Sequence, residues 1–77
     1  MWTKINDCGK QLTVHSKIRE ENEGQFKVYD IIEIEFDQYK VELILKENVQ
    51  EVEKIHQVFS CEQLVQYNFE VEEDETQ

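Results

Sequence analysis

The sequence predicts an α+β domain in which an antiparallel β-sheet of three to five strands packs against one amphipathic helix, in the order ββββαβ. Three observations predict it. Apolar and polar residues alternate over Phe26–Phe36 and again over Tyr39–Leu45, the period of half-buried strands. A helical period follows at Val49, Val52, Ile55, Val58 and Phe59. The apolar set is rich in Val, Ile and Phe and contains no Ala, which suits a pleated sheet.

Trp2–Ile5 precedes the turn cluster Asn6-Asp7-Cys8-Gly9 and reads as a short first strand. A second strand is expected where Leu12, Val14, Ser16 and Ile18 alternate with Thr13, His15, Lys17 and Arg19, before a break at Glu20–Gly24. In the third strand, Phe26, Val28, Ile32, Ile34 and Phe36 share the inner parity, with Asp30 the one acid among them, while Glu33, Glu35 and Asp37 face out. A two-residue turn at Asp37-Gln38 flips the parity, placing Tyr39, Val41, Leu43 and Leu45 inside and Lys40, Glu42, Ile44 and Lys46 outside. That register pairs Phe36 with Tyr39, Ile34 with Val41 and Ile32 with Leu43 on the inner face. On the outer face it sets Glu35 beside Lys40, Glu33 beside Glu42 and Ile31 beside Ile44. The turn lacks Asn-Gly or Asp-Gly, which leaves a longer loop open.

Asn48 can cap the helix, and Glu51 stands where a capping box places its reciprocal acceptor. About three turns would close one face of the sheet. Val65, Tyr67, Phe69 and Val71 then alternate with Gln66, Asn68, Glu70 and Glu72 as a final strand. Residues 1–72 are expected to form one domain and residues 73–77 an acidic tail. Gly9 and Gly24 should both mark turns.

Eighteen acids stand against eight bases, a formal charge of −10. The excess is one-sided. Met1–Lys27 holds four acids and five bases, whereas Val28–Gln77 holds fourteen acids and three bases. Such a field selects basic partners and repels nucleic acid and anionic membrane, so neither direct nucleic-acid binding nor membrane association is expected. The N-terminus lacks the apolar run of a signal peptide, and no stretch approaches the roughly 18 apolar residues needed to cross a bilayer, so a cytoplasmic protein is expected.

Catalysis has little to stand on. Ser16 and Ser60 are the only serines, there is no glycine-rich phosphate loop, and the carboxylates lie in open arrays, so neither an enzyme nor a cofactor is expected. Cys8, His15, His56 and Cys61 are of metal-ligand type, but their spacings match no zinc signature. The cysteines read as two packed free thiols in a reducing compartment, with a single bridge left open.

Two surfaces are candidates for binding. Outward residues on a strand stand about 6.6–6.8 Å apart and strands about 4.8 Å apart, so Glu33, Glu35, Asp37 and Glu42 would form a two-dimensional carboxylate array. Glu70, Glu72, Glu73, Asp74 and Glu75 could add a second row, approaching the charge density of a nucleic-acid backbone. The bland reading is a solvated face that keeps sheet edges from aggregating. Tyr29, Ile31 and Ile44, turned outward by the same register, form a candidate apolar interface. It reads either as a second packing layer or as a seam for a partner or a homodimer, and a homodimer is expected.

In size, acidity and the grouping of carboxylates on sheet and tail, the chain resembles the small phage-encoded DNA-mimic inhibitors. The resemblance covers composition and charge layout and rests on no sequence motif. It implies an inhibitor that occupies the nucleic-acid-binding surface of a basic host protein, such as a nucleoid-associated protein, a restriction or CRISPR nuclease, or a repair enzyme. The alternative is a small structural or regulatory protein–protein interaction module.

Overall fold

Glu23-Gly24 and Phe36-Asp37 are two-residue turns that join paired strands, and the sheet is organised around them. The computed structural model describes residues 1–44 and 56–73. Among these, the elements are β1 (Trp2–Lys4), α1 (Cys8–Gln11), β2 (Lys17–Asn22), β3 (Gln25–Glu35), β4 (Gln38–Ile44), β5 (His56–Ser60), α2 (Cys61–Gln66) and β6 (Glu70–Glu72). All strand pairs are antiparallel, in the spatial order β1-β6-β2-β3-β4-β5. The expected fold class is therefore corrected. Six strands and two short helices replace three to five strands and one amphipathic helix, and the order is βαββββαβ in place of ββββαβ.

The β2–β3 hairpin closes with Glu23 at φ 54° and Gly24 at φ 80°, both left-handed, between the paired residues Asn22 and Gln25. Positive φ at both central positions is the pattern of a type I′ turn, whose twist matches the flanking strands. The expected break at Glu20–Gly24 thus shrinks to two residues. The expected second strand begins later, because Thr13–Ser16 forms a turn. There the Ser16 hydroxyl accepts from the Thr13 amide at 2.9 Å, and His15 sits at φ 79°.

The β3–β4 hairpin turns one residue earlier than expected, pairing Glu35 with Gln38, Ile34 with Tyr39 and Glu33 with Lys40. Beyond Ile32 the register shifts, so that Ile31 faces Val41, Asp30 faces Glu42 and Tyr29 faces Leu43. A β-bulge at Ile32 is the physical reason the expected faces invert, since one extra residue changes which parity points inward. Tyr29 and Ile31 become core residues; Phe26, Val28 and Asp30 face out.

One face of the sheet is covered. Ile18, Tyr29, Ile31, Tyr39, Val41 and Val71 project into a core completed by Ile5, Cys8, Leu12, Leu64 and Phe69. The rings of Tyr29, Phe59 and Phe69 meet at centroid distances of 5.1–6.0 Å. Burying an aliphatic or aromatic side chain of this size stabilises by about 1.5–3 kcal/mol, so this layer dominates the energetics.

The expected helix from Asn48 to Ile55 lies outside the described residues, and His56–Phe59, read as its end, belongs to strand β5. There Phe59 pairs with the inward Tyr39. The start of the expected last strand is helical. Ser60 accepts from the Gln63 amide at 3.2 Å, and the Gln63 side chain accepts from the Ser60 amide at 2.9 Å, a capping box that starts α2. Asn68 at φ 61° ends the helix, with Asn68 N–H bonded to the Val65 carbonyl and Phe69 N–H to that of Leu64. This Schellman closure turns Phe69 into the core above Leu64. The turn cluster Asn6–Gly9 becomes α1, held by the Gln11 side chain, which accepts from the Asn6 and Asp7 amides at 2.7 and 2.8 Å. Gly24 marks a turn as expected; Gly9 lies within α1.

Cys8 of α1 and Cys61 of α2 form a disulfide, with Cα atoms 6.0 Å apart. The reading as free thiols is corrected in favour of the bridge. The two cysteines stand 53 positions apart in sequence, and closing so long a loop in the unfolded chain corresponds to roughly 4 kcal/mol on entropic grounds.

Candidate protein-interaction surface

The outer face of the sheet follows from the pairing. Residues opposite one another across a ladder point to the same side, so Trp2, Lys4, Glu70, Glu72, Lys17, Arg19, Phe26, Val28, Asp30, Glu42, Glu33, Lys40 and Val58 share this face. It divides into two regions of different character.

The first lies over β1, β6 and β2. The Arg19 guanidinium sits between two rings, 4.5 Å from the centroid of Trp2 and 4.1 Å from that of Phe26. Its Nε donates to the Glu70 carboxylate at 2.7 Å. Lys4, on the other flank of β6, also faces Glu70. A concavity of about 410 Å³ opens here, bordered by Arg19, Glu21, Phe26 and Tyr67. Arg19 and Glu70 form an ion pair here within the chain.

The second region is the corner formed by the β3–β4 hairpin and β5. Glu33, Glu35 and Asp37 are exposed there, with Lys40 opposite Glu33 and Val58 opposite Lys40. Glu33, Glu35, Gln38, Lys40 and Val58 border a shallow groove of about 200 Å³. Phe36 stands at the hairpin tip, 93% exposed. Asp37 lends its carbonyl to the Cys61 amide at 3.1 Å, so the tip is tied to the start of α2.

The expected carboxylates are thus partly assembled. Glu33, Glu35 and Asp37 do share one corner. Glu42 lies mid-sheet and half-buried, facing Asp30 and His56 rather than Glu33. Glu70 and Glu72 lie on β6, two strand spacings or about 10 Å from β3, with β2 and its Lys17 and Arg19 between. Glu73 follows β6 and its amide donates to the Met1 carbonyl. Asp74 and Glu75 lie outside the described residues. A single continuous acidic array is therefore replaced by one acidic corner and one compensated region.

The expected apolar interface of Tyr29, Ile31 and Ile44 is corrected. Tyr29 and Ile31 are buried at 3% and 0% exposure, because the bulge turns them inward, and Ile44 is half-buried opposite Val28. The surface seam on which a homodimer was expected is absent from these positions. Asp30, expected inside, lies on the outer face between Lys17 and Glu42, with one carboxylate oxygen shielded from water and without a hydrogen-bond partner.

Sequence reasoning missed the Trp2–Arg19–Phe26 stack and the exposed Phe36. Gly24 carried the signal for the first, since a two-residue turn at Glu23-Gly24 already sets Glu21 opposite Phe26 and Arg19 opposite Val28. No local signal marks the second, because Phe36 extends an apolar alternation that reads as core.

Burial raises the Tyr29 phenol above its ordinary value, and Glu20 adds to the shift through its charge and a hydrogen bond. Burial also raises Tyr39, with Asp37 and Asp7 adding charge. Among the described residues, no group of three or more His, Cys, Asp or Glu is placed to hold a metal ion. No helix among them is long and apolar enough to cross a membrane. No family model, curated protein or solved structure matches this chain. What the fold and surface define is a disulfide-bridged antiparallel sheet protein with one covered face and one charged, open corner.

Proposed function

We propose that this protein is a non-enzymatic, acidic binding protein that docks on the basic, nucleic-acid-binding surface of a host protein and excludes DNA from it. Nucleoid-associated proteins, restriction or CRISPR nucleases and repair enzymes present such surfaces. One observation carries the reading: Glu33, Glu35 and Asp37 are exposed together at one corner and form no ion pair among the described residues. Outward neighbours along a strand stand about 6.6–6.8 Å apart, equal to the axial rise of two nucleotides on one DNA strand, so Glu33 and Glu35 carry about half that strand's linear charge density. The acids of β6 support it less, since Arg19 already neutralises Glu70.

Val58, half-exposed on β5, favours a second reading, a regulatory module with no nucleic-acid competitor, because a DNA backbone offers no apolar counterpart to it. The lead reading also places the protein in a host cytoplasm. Disulfides persist mainly in oxidising compartments, so a cytoplasmic role requires the fold to survive reduction of Cys8–Cys61.

Competition tests the proposal. Basic proteins eluted from DNA-cellulose are loaded with a fluorescent duplex, and the purified chain is titrated in at graded salt. The expected result is competitive displacement that weakens with ionic strength, with no binding of duplex by the chain itself. Replacing Glu33 and Glu35 by Gln and Asp37 by Asn should weaken displacement at least tenfold, about 1.4 kcal/mol. Direct duplex binding at physiological salt, or a ternary complex, refutes it.

A further inference from the structure

We infer that Phe36 is the anchor of this surface, the side chain that seats the protein in an apolar pocket rimmed by lysine or arginine on a basic protein partner. The inference deepens the reading above and rests on it for the sign of the partner's charge. Its own support is the placement of one residue.

Phe36 is 93% exposed, whereas Phe69 is buried and Phe59 packs against the core. Phe26, half-exposed, is stacked by Arg19. A ring left in water contributes nothing to folding, and aromatic side chains in such positions are typical interface anchors. The backbone adds an independent observation. Phe36 holds φ 55° at the first position of a two-residue loop whose second residue does not share positive φ. That sign pattern belongs to type II′ turns, which favour glycine first, and L side chains are disfavoured there. The chain uses Gly24 in its other hairpin turn. A bulky residue that breaks a local folding rule without gaining burial points to a role outside folding.

The tip is also held in place. Glu35 pairs with Gln38 behind it, and the Asp37 carbonyl receives the amide of Cys61, itself bridged to Cys8. An anchor ordered before binding costs less to immobilise. Glu35 and Asp37 flank Phe36 in the chain and Glu33 lies two residues before Glu35, all exposed, and their charge repels nucleic acid, anionic membrane and the same tip of a second copy. A pocket with a basic rim complements both the ring and its acidic surround.

The test uses the duplex-displacement assay with three variants of the full chain. Phe36→Gly should leave the thermal midpoint unchanged or higher, yet weaken displacement at least tenfold with an unaltered salt dependence. Phe36→Tyr should retain most of the affinity, because the ring is kept. Glu23→Gly, which relieves the other hairpin's left-handed non-glycine, should leave displacement as it is. If Phe36→Gly instead lowers the midpoint by several degrees, the ring is structural and the inference falls. If it displaces duplex as well as the parent chain does while the carboxylate variant fails, the acidic surface stands and the anchor falls. A parent chain that sediments as a dimer, and a Phe36→Gly variant that sediments as a monomer, would identify the occupant as a second copy and overturn the inference. Failure of the parent chain to displace duplex from any of the basic proteins overturns both proposals.

Discussion

The two hairpins that share β3 reverse in the same number of residues, yet they solve the turn differently. At the β2–β3 end a glycine takes one left-handed position, and nothing lies within 4 Å of where a Cβ would stand. The strands behind it carry a closed set of contacts: Arg19 between Trp2 and Phe26, and Glu70 on its Nε. At the β3–β4 end an aromatic side chain takes the left-handed position, and exposed carboxylates outnumber the single Lys40. There the support comes from below, through Asp37, Cys61 and the bridge to Cys8. One end is satisfied from within the sheet. The other exposes Phe36 with Glu33, Glu35 and Asp37, and is joined through the Asp37 carbonyl to Cys61 and its bridge to Cys8.

Cutting that tie should give the largest effect. Replacing Cys8 and Cys61 together by Ser, or reducing the bond, should lower stability by up to about 4 kcal/mol. Amide hydrogen exchange should rise first in α2, β5 and the β3–β4 tip, which the bond supports directly, and later in the β2–β3 hairpin. Equal acceleration at both ends would show that the bridge acts on the chain as a whole and not on the tip.

Removing the guanidinium sharpens the comparison from the opposite side. Arg19→Ala loses two ring contacts, each about 0.5–1 kcal/mol where partly exposed, and the charge-assisted bond to Glu70. A loss of roughly 1–2 kcal/mol in denaturant unfolding is expected, with duplex displacement unchanged. Arg19→Lys should recover less than half, since an ammonium cannot stack between rings while donating sideways. A loss confined to a few tenths of a kcal/mol would mean that the region is ordinary solvated surface.

The smallest effect is nil at neutral pH and appears only in alkali. Tyr29 in mid-β3 and Tyr39 beside the β3–β4 tip have folded pKa values raised above their ordinary 10.0. Between the unfolded and folded values the folded state holds the extra proton, so this stability is complete below pH 10 and is lost as pH rises through the folded values. Glu20→Gln should make the alkaline loss shallower through Tyr29, and Asp37→Asn should do so through Tyr39. Phenolate absorbance, followed with unfolding midpoints, separates the two. A response to neither substitution would leave burial as the whole cause of both shifts.

Much of the sheet was legible because its signals are local. Tyr39, Val41 and Leu43 fall on the covered side as their alternation requires, and Gly24 sits in a turn. The errors have local causes too. A bulge at Ile32 inverts the faces of β3 because side-chain direction has a period of two, so one extra residue moves Tyr29 and Ile31 from surface to core. The Ser60–Gln63 capping box was readable, but the alternation of Val65, Tyr67, Phe69 and Val71 masked it. Of the candidate site, Glu33, Glu35 and Asp37 were legible as outward acids, whereas Phe36 was not, since its apolarity fitted the strand pattern.

What the sequence by itself determined is the lopsided charge, the β-rich composition and the two reversals near Gly24 and Asp37, all properties that neighbouring residues encode between themselves. The tertiary structure alone decided that β6 returns to lie between β1 and β2, that Lys17 and Arg19 thereby separate two groups of acids, and that Cys8 reaches Cys61, 53 positions away in sequence. These depend on burying one shared apolar face. The free energy of that burial belongs to all the strands together and leaves no pattern in any one of them.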